Sequence, residues 1–138
     1  MSEITRFGVS IENKLLEKFD QLISARGYKN RSEAIRDLIR KELVQQQWGD
    51  SEAESVGTIT IIFDHHVREL TEMLTTVQHQ FNEQIIAATH IHLDHHNCLE
   101  VIAVKGKTVT IRKIADKLIS LRGVKHGKLV MTTTGKNV

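Results

Sequence analysis

The sequence predicts an α+β protein of two modules: a strand and two helices over residues 1–48, then a βαββαβ unit over residues 58–138, joined by a polar linker at 49–57. Apolar residues alternate at period two in the first stretch and then move to helical spacing, and the same switch recurs through the second half. Residues 1–48 hold nine Lys/Arg against seven Asp/Glu, a balance of +2, and no histidine. Residues 49–138 hold ten of each sign, all eight histidines and the one cysteine. One half carries the positive balance and the other every soft metal ligand, as expected of modules with different tasks.

In the opening segment Phe7, Val9 and Ile11 share one parity, while Ile4, Arg6, Gly8 and Ser10 share the other. That alternation predicts a strand with one apolar face. Ser10 then caps a helix whose stripe is Leu15, Leu16, Phe19, Leu22 and Ile23 and which Gly27 ends. A second helix starts near residues 30–32, with Ser32 as the expected cap, and runs through Ala34, Ile35, Leu38, Ile39 and Leu43 to about Gln47. A unit this small does not bury a good core alone, and a lone strand has two unpaired edges. Pairing with its twin across a two-fold axis meets both needs, giving an antiparallel ribbon over four helices.

The linker GDSEAESVG at 49–57 is small and acidic. A buried strand is expected at 58–63, a helix at 67–81, strands at 85–93 and 98–104 around a turn at 94–97, a helix after Lys107 and a last strand at about 124–133. The order βαββαβ is that of a ferredoxin-like fold, one antiparallel sheet with helices on one face.

With 138 residues, 40% apolar and 26% charged, the chain has the balance of a soluble globular protein. No apolar run approaches the roughly 18 residues of a membrane span, and residues 1–10 lack a signal-peptide core. A single cysteine makes no internal disulfide, so a reducing, cytoplasmic setting is expected. Aromatic residues are only 4%, so the core must be aliphatic.

His90 and His92 stand two apart in a strand, so both imidazoles project from one face. The turn brings Cys98 back beside His92. Two imidazoles and a thiolate converge, one ligand short of four. His79, near the end of the preceding helix, supplies the fourth, and if that helix packs on the opposite side its ring must come from another subunit. Such a set suits Zn(II), Ni(II) or Cu(II), and spacing alone leans to zinc. The plain alternative is two surface histidines and a small core cysteine.

The residues also carry a resemblance. The runs RGYKNRSEAIRD at 26–37, THIHLD at 89–94, CLE at 98–100 and RGVKHG at 122–127, together with His79, resemble the nickel-responsive transcriptional regulators. In that family a ribbon–helix–helix DNA-binding domain precedes an ACT-type nickel-binding domain. The resemblance implies one Ni(II) per chain, square-planar between His90, His92 and Cys98 of one subunit and His79 of another, in a homotetramer built as a dimer of dimers. It makes Glu100 a carboxylate that orients a ligand histidine, the plain alternative being an exposed strand glutamate. Phe63 stands where some relatives have a tyrosine hydroxyl. His65, His66, His95 and His96 are expected to be solvated loop histidines.

The ribbon would present Arg6, Gly8 and Ser10 to the major groove of double-stranded operator DNA with palindromic half-sites. Gly8 has no side chain to read a base. Asn30, Arg31 and Ser32 at a helix start suit a phosphate, and Arg68 is a further backbone contact. Glu33 and Asp37, at i and i+4, match a second cation site of the family; pairing with Arg36 or Arg40 is the plain alternative. The expected function is nickel-dependent repression of nickel-uptake genes, through nickel favouring the operator-binding state. A repressor whose ACT-type domain senses an amino acid or another small molecule is the rival. An enzyme is not expected, because four protein ligands leave no open position on the metal.

Overall fold

The computed structural model describes residues 3–49, 52–136 and 138. The chain divides into two compact units, Met1–Glu42 and Leu43–Val138.

The first unit holds helix α1 (Asn13–Ala25) and most of α2 (Arg31–Gly49). Residues 3–12 have no regular secondary structure, so the expected strand is not formed within one chain. The reason is elementary: a strand exists through hydrogen bonds to a neighbour, and a single chain offers it none. Ser10 does not cap α1, which begins later behind Glu12 with no side-chain cap bond. The helix ends as expected at Gly27, whose φ of +88° closes a double turn with Gly27 N–H bonding Ser24 O and Tyr28 N–H bonding Ile23 O. Asn30, not Ser32, caps α2: its Oδ1 accepts the Glu33 N–H at 2.9 Å. Arg31 reaches back to α1 in a two-pronged pair with Asp20, at 2.9 and 2.8 Å. The unit buries Ile23 and Ala34 but leaves Ile4, Phe7, Val9, Leu15, Leu22, Leu38 and Ile39 exposed. That is the profile of half a core.

The second unit runs β1 (Glu54–Asp64), α3 (Leu70–Gln80), β2 (Ile85–His92), β3 (Asn97–Lys107), α4 (Thr108–Ile119) and β4 (Val124–Thr132). The sheet is antiparallel in the order β2-β3-β1-β4, the ferredoxin-like arrangement the element order predicts. Ile59, Ile61 and Phe63 of β1 and Cys98, Ile102 and Val104 of β3 point to one face, where Leu70 and Leu74 of α3 and Ile111, Ile114 and Leu118 of α4 cover them. Among the described residues of this unit no helix covers the opposite face. Ile91 of β2 and Val130 of β4 lie exposed there, with Ile62, Leu99 and Val101 only partly covered.

Boundaries in this unit differ from expectation, β3 running on to Lys107 rather than ending at 104. Strand β1 starts at Glu54, inside the expected linker, because residues 54–57 pair with 104–107 of β3. Helix α3 starts at Leu70 rather than Val67; residues 65–69 form a turn closed by Val67 N–H to Asp64 O and ended by Glu69 at φ +68°. Among the described residues no helix is long and apolar enough to cross a membrane.

Candidate functional site

The hairpin of β2 and β3 builds the site. Asp94 holds its turn: Oδ1 accepts the N–H groups of His96 and Asn97, each at 2.8 Å, and the Asn97 amide bonds the same carboxylate. These donors, the Asn97 side chain foremost, hold the Asp94 pKa down to about 2. With the turn set, the register places His92 opposite Cys98 and His90 opposite Glu100. Cys98 and Glu100 belong to the helix-covered face, so His90 and His92 lie on that face too.

There the expected donors meet in part. His92 Nδ1 stands 3.4 Å from the buried Cys98 Sγ. The rings of His90 and His92 lie 5.2 Å apart between centroids. Phe63 packs edge-on against His90 at 5.5 Å. Burial, with Asp94 and Asp64 adding, pushes the Cys98 thiol pKa up, so a bound cation must displace its proton.

His65 corrects the expectation of a solvated loop histidine. It is half-buried in the turn after β1, and its Nδ1 lies 3.3 Å from Cys98 Sγ. Burial, with His66 and His92 next, pushes its pKa down, toward the neutral ring. His65, His92 and Cys98 thus offer three ligand atoms within 4.8 Å of one another. The sequence held one clue: β1 must neighbour β3 in this topology, and His65 follows β1 directly. His66, His95 and His96 are exposed as expected. His66 Nε2 donates to the His95 carbonyl at 3.1 Å, and Asp64, His66 and His96 form a second, exposed donor group.

Glu100 is buried, which overturns the exposed-strand alternative; its Oε1 accepts Gln78 Nε2 at 2.8 Å. That bond also places α3 on the same face of the sheet as the hairpin, not the opposite one. His79, the next residue, is nevertheless exposed and belongs to neither donor group found among the described residues. One chain alone does not bring it to Cys98.

In the first unit Arg6, Gly8 and Ser10 lie exposed in the irregular segment, and Arg68 is exposed in the turn before α3. Of the three residues expected at a phosphate, Asn30 is engaged as the α2 cap, Arg31 is held by Asp20, and Ser32 is exposed. Asp37 accepts the Tyr28 hydroxyl at 2.6 Å and pairs with Arg40 at 3.1 Å. Asp37 thus makes the Arg40 pair given as the plain alternative, and Glu33 stands exposed one turn before it.

Residues 56–132 match the family model described as the NikR C terminal nickel binding domain, and residues 5–46 match that of the ribbon-helix-helix protein, copG family. A relative from Pelobacter propionicus assigned as a nickel-responsive regulator is 59% identical over 138 residues, covering 100% of this chain and 99% of its own. A relative of the same assignment from Geobacter sulfurreducens is also 59% identical, with the same coverage. One from Thermococcus onnurineus is 53% identical over 99% of both chains. A solved structure, an uncharacterized protein of Thermotoga maritima, aligns with a TM-score of 0.51 at 19% identity over 56% of this chain and 96% of its own, a likeness of fold.

Proposed function

The chain belongs to the family of nickel-responsive regulators, and from that premise we propose that it represses nickel-uptake genes by binding operator DNA when nickel joins its subunits. It is a nickel-dependent transcription regulator rather than an enzyme, with a ribbon–helix–helix DNA-binding module and a nickel-binding domain. In the proposed division of labour, residues 1–48 bind DNA, residues 49–57 connect, and residues 58–138 bind metal and assemble the tetramer.

The observation that carries the reading is His92 against Cys98, with the His90 ring beside His92 on the same face, while His79 stays exposed. Those residues would hold one Ni(II) per chain, with His79 coming from another subunit. Bound there, nickel supplies a cross-link between protomers. The helix-free sheet face, with Ile91 and Val130 exposed, supports back-to-back assembly into a dimer of dimers. The exposed Phe7, Val9 and Ile11 support pairing of the first ten residues into a ribbon, which turns Arg6, Gly8 and Ser10 outward to palindromic operator half-sites in the cytoplasm. Nickel then acts by preferring the tetramer whose two ribbons reach both half-sites, and it shifts the population only by that preference.

The test is an anaerobic titration of the apo-protein with Ni(II), read by absorption and by operator gel shift. Thiolate-to-nickel charge-transfer bands saturating at one nickel per chain, lost in Cys98→Ala and parallel to operator binding, are the expected result. Saturation at another ratio, or operator binding indifferent to nickel, would overturn the reading.

A further inference from the structure

The turn between β2 and β3 is closed by Asn97, the residue before Cys98. Its carbonyl oxygen accepts the N–H groups of Leu93 and Asp94 at 3.0 and 3.3 Å, and its own N–H and side-chain amide donate to the Asp94 carboxylate. The other end of that amide is held from outside the hairpin. Lys125 Nζ, at the start of β4, donates to Asn97 Oδ1 at 2.6 Å. Strand β1 lies between β3 and β4 in the sheet, so the lysine reaches across the end of β1, where Asp64 pairs with Asn97, to a residue two strands away. This bond is shorter than the two that the turn after β1 makes to the same loop. Those are His66 Nε2 to the His95 carbonyl at 3.1 Å and His65 N–H to the His96 carbonyl at 3.3 Å.

We propose that Lys125, acting through Asn97, is a positioning residue of the nickel site, fixing the hairpin end so that His92 and Cys98 meet the ion in one arrangement. The proposal rests on the nickel reading. Neither residue is a ligand in it. An ammonium has no lone pair to give a metal, and Asn97, one position before Cys98 in the strand, lies on the opposite face of the sheet.

The physical reason is the order of the apo-protein. Where Cys98 Sγ points is set by the backbone at 97 and 98, and ligands serve a metal well only when a supporting shell holds them to a fraction of an ångström. With its amide held at both ends, Asn97 satisfies Asp94 and Lys125 together in one backbone arrangement. Without the lysine the exposed turn samples others, and the metal must order it on binding. Ordering one side chain at a binding site weakens affinity about three- to tenfold. A bond between exposed groups adds little to the stability of the fold. Loss of Lys125 therefore falls on nickel binding far more than on folding.

The experiment uses the full chain as apo-protein in five forms: wild type, Lys125→Met, Lys125→Arg, Asn97→Ala and the double variant Lys125→Met with Asn97→Ala. Ni(II) affinity is measured by chelator competition, the geometry about the thiolate by the charge-transfer band, and the fold by thermal unfolding without metal. Lys125→Met is expected to bind nickel about three- to tenfold more weakly, with a shifted or broadened band and an unfolding midpoint near that of wild type. Lys125→Arg, which keeps a donor on a long stem, restores affinity and band. Asn97→Ala weakens binding too, and the double variant is no weaker than Asn97→Ala alone, because the lysine acts only through that amide. Wild-type affinity in Lys125→Met, losses that multiply in the double variant, or a loss that Lys125→Arg does not restore overturns the proposal. A wild type with no charge-transfer band overturns the nickel reading and this proposal together, whereas an intact band that Lys125→Met leaves unchanged overturns this proposal alone.

Discussion

Gln78 Nε2 donates a 2.8 Å hydrogen bond to Glu100 Oε1, joining the last turn of α3 to the strand position opposite His90. Gln78 precedes His79, so one bond links the neighbours of two proposed nickel ligands, His79 and His90.

Glu100→Ala is expected to weaken nickel binding by about tenfold to a hundredfold, the usual effect of removing a group that orients ligands. Gln78→Ala should weaken it in the same direction, because the buried carboxylate loses its donor. Chelator competition on both variants checks this; wild-type nickel affinity in both would exclude the link.

His79→Ala should abolish nickel-dependent operator binding and leave the fold of each unit intact, since the residue is exposed at the end of α3. Gel shift with and without nickel gives the first quantity and circular dichroism the second. A retained nickel response means that the cross-link runs through another residue.

Val9→Asp should abolish operator binding without changing the nickel absorption bands. Val9 and Phe7 are 68% and 70% exposed in the chain, and burial in a ribbon is worth about 1.5–3 kcal/mol for each such side chain. An aspartate forfeits that and adds a charge to the apolar face. Operator binding near wild-type strength would rule out the ribbon.

The Tyr28–Asp37 bond gives a two-sided pH dependence. Tyr28, and after it Arg40, holds the Asp37 carboxyl below the usual carboxylate range, and the same bond to Asp37 pushes the Tyr28 hydroxyl above its ordinary value. A depressed carboxyl stabilises the fold above about pH 3.9 and loses that effect as pH falls through its folded pKa. A raised phenol stabilises below about pH 10 and loses the effect as pH rises through its own. The stability difference between wild type and Tyr28→Phe should therefore be level from about pH 5 to 9 and shrink at both ends. Chemical denaturation across that range checks it; a difference that does not change with pH would mean the bond is absent in solution.

Gly57→Ala should destabilise the second unit by about 1–3 kcal/mol, the usual cost of overpacking. An added Cβ would stand 2.8 Å from the Val130 carbonyl oxygen, and that backbone is held in the β1–β4 ladder. Thermal unfolding measures it, with an unchanged midpoint as the contrary result.

Much of the fold was legible because its signals are local. Periodicity marks α1, α4 and every strand of the second unit, and element order alone gives the sheet its topology. That His90, His92 and Cys98 share one face was legible for the same reason: a period of two and a short turn set it over nine residues. Boundaries were less so. Ser10 and Ser32 are good cap residues by type, but Glu12 and Asn30 hold the N-cap positions, because caps are decided by where the preceding chain leaves off.

By itself the sequence determined the two-module order, the unequal distribution of charge and histidine, and three candidate metal donors on one face of a strand pair. Only the tertiary structure decided that His65, thirty-three residues away, touches Cys98, that Glu100 is buried against Gln78, and that Asp37 is taken by Tyr28 and Arg40. The physical reason is the range of the forces involved. Secondary structure follows from backbone sterics and apolar spacing within a few residues, whereas these contacts exist only once β1 has paired with β3 and helices have packed over the sheet.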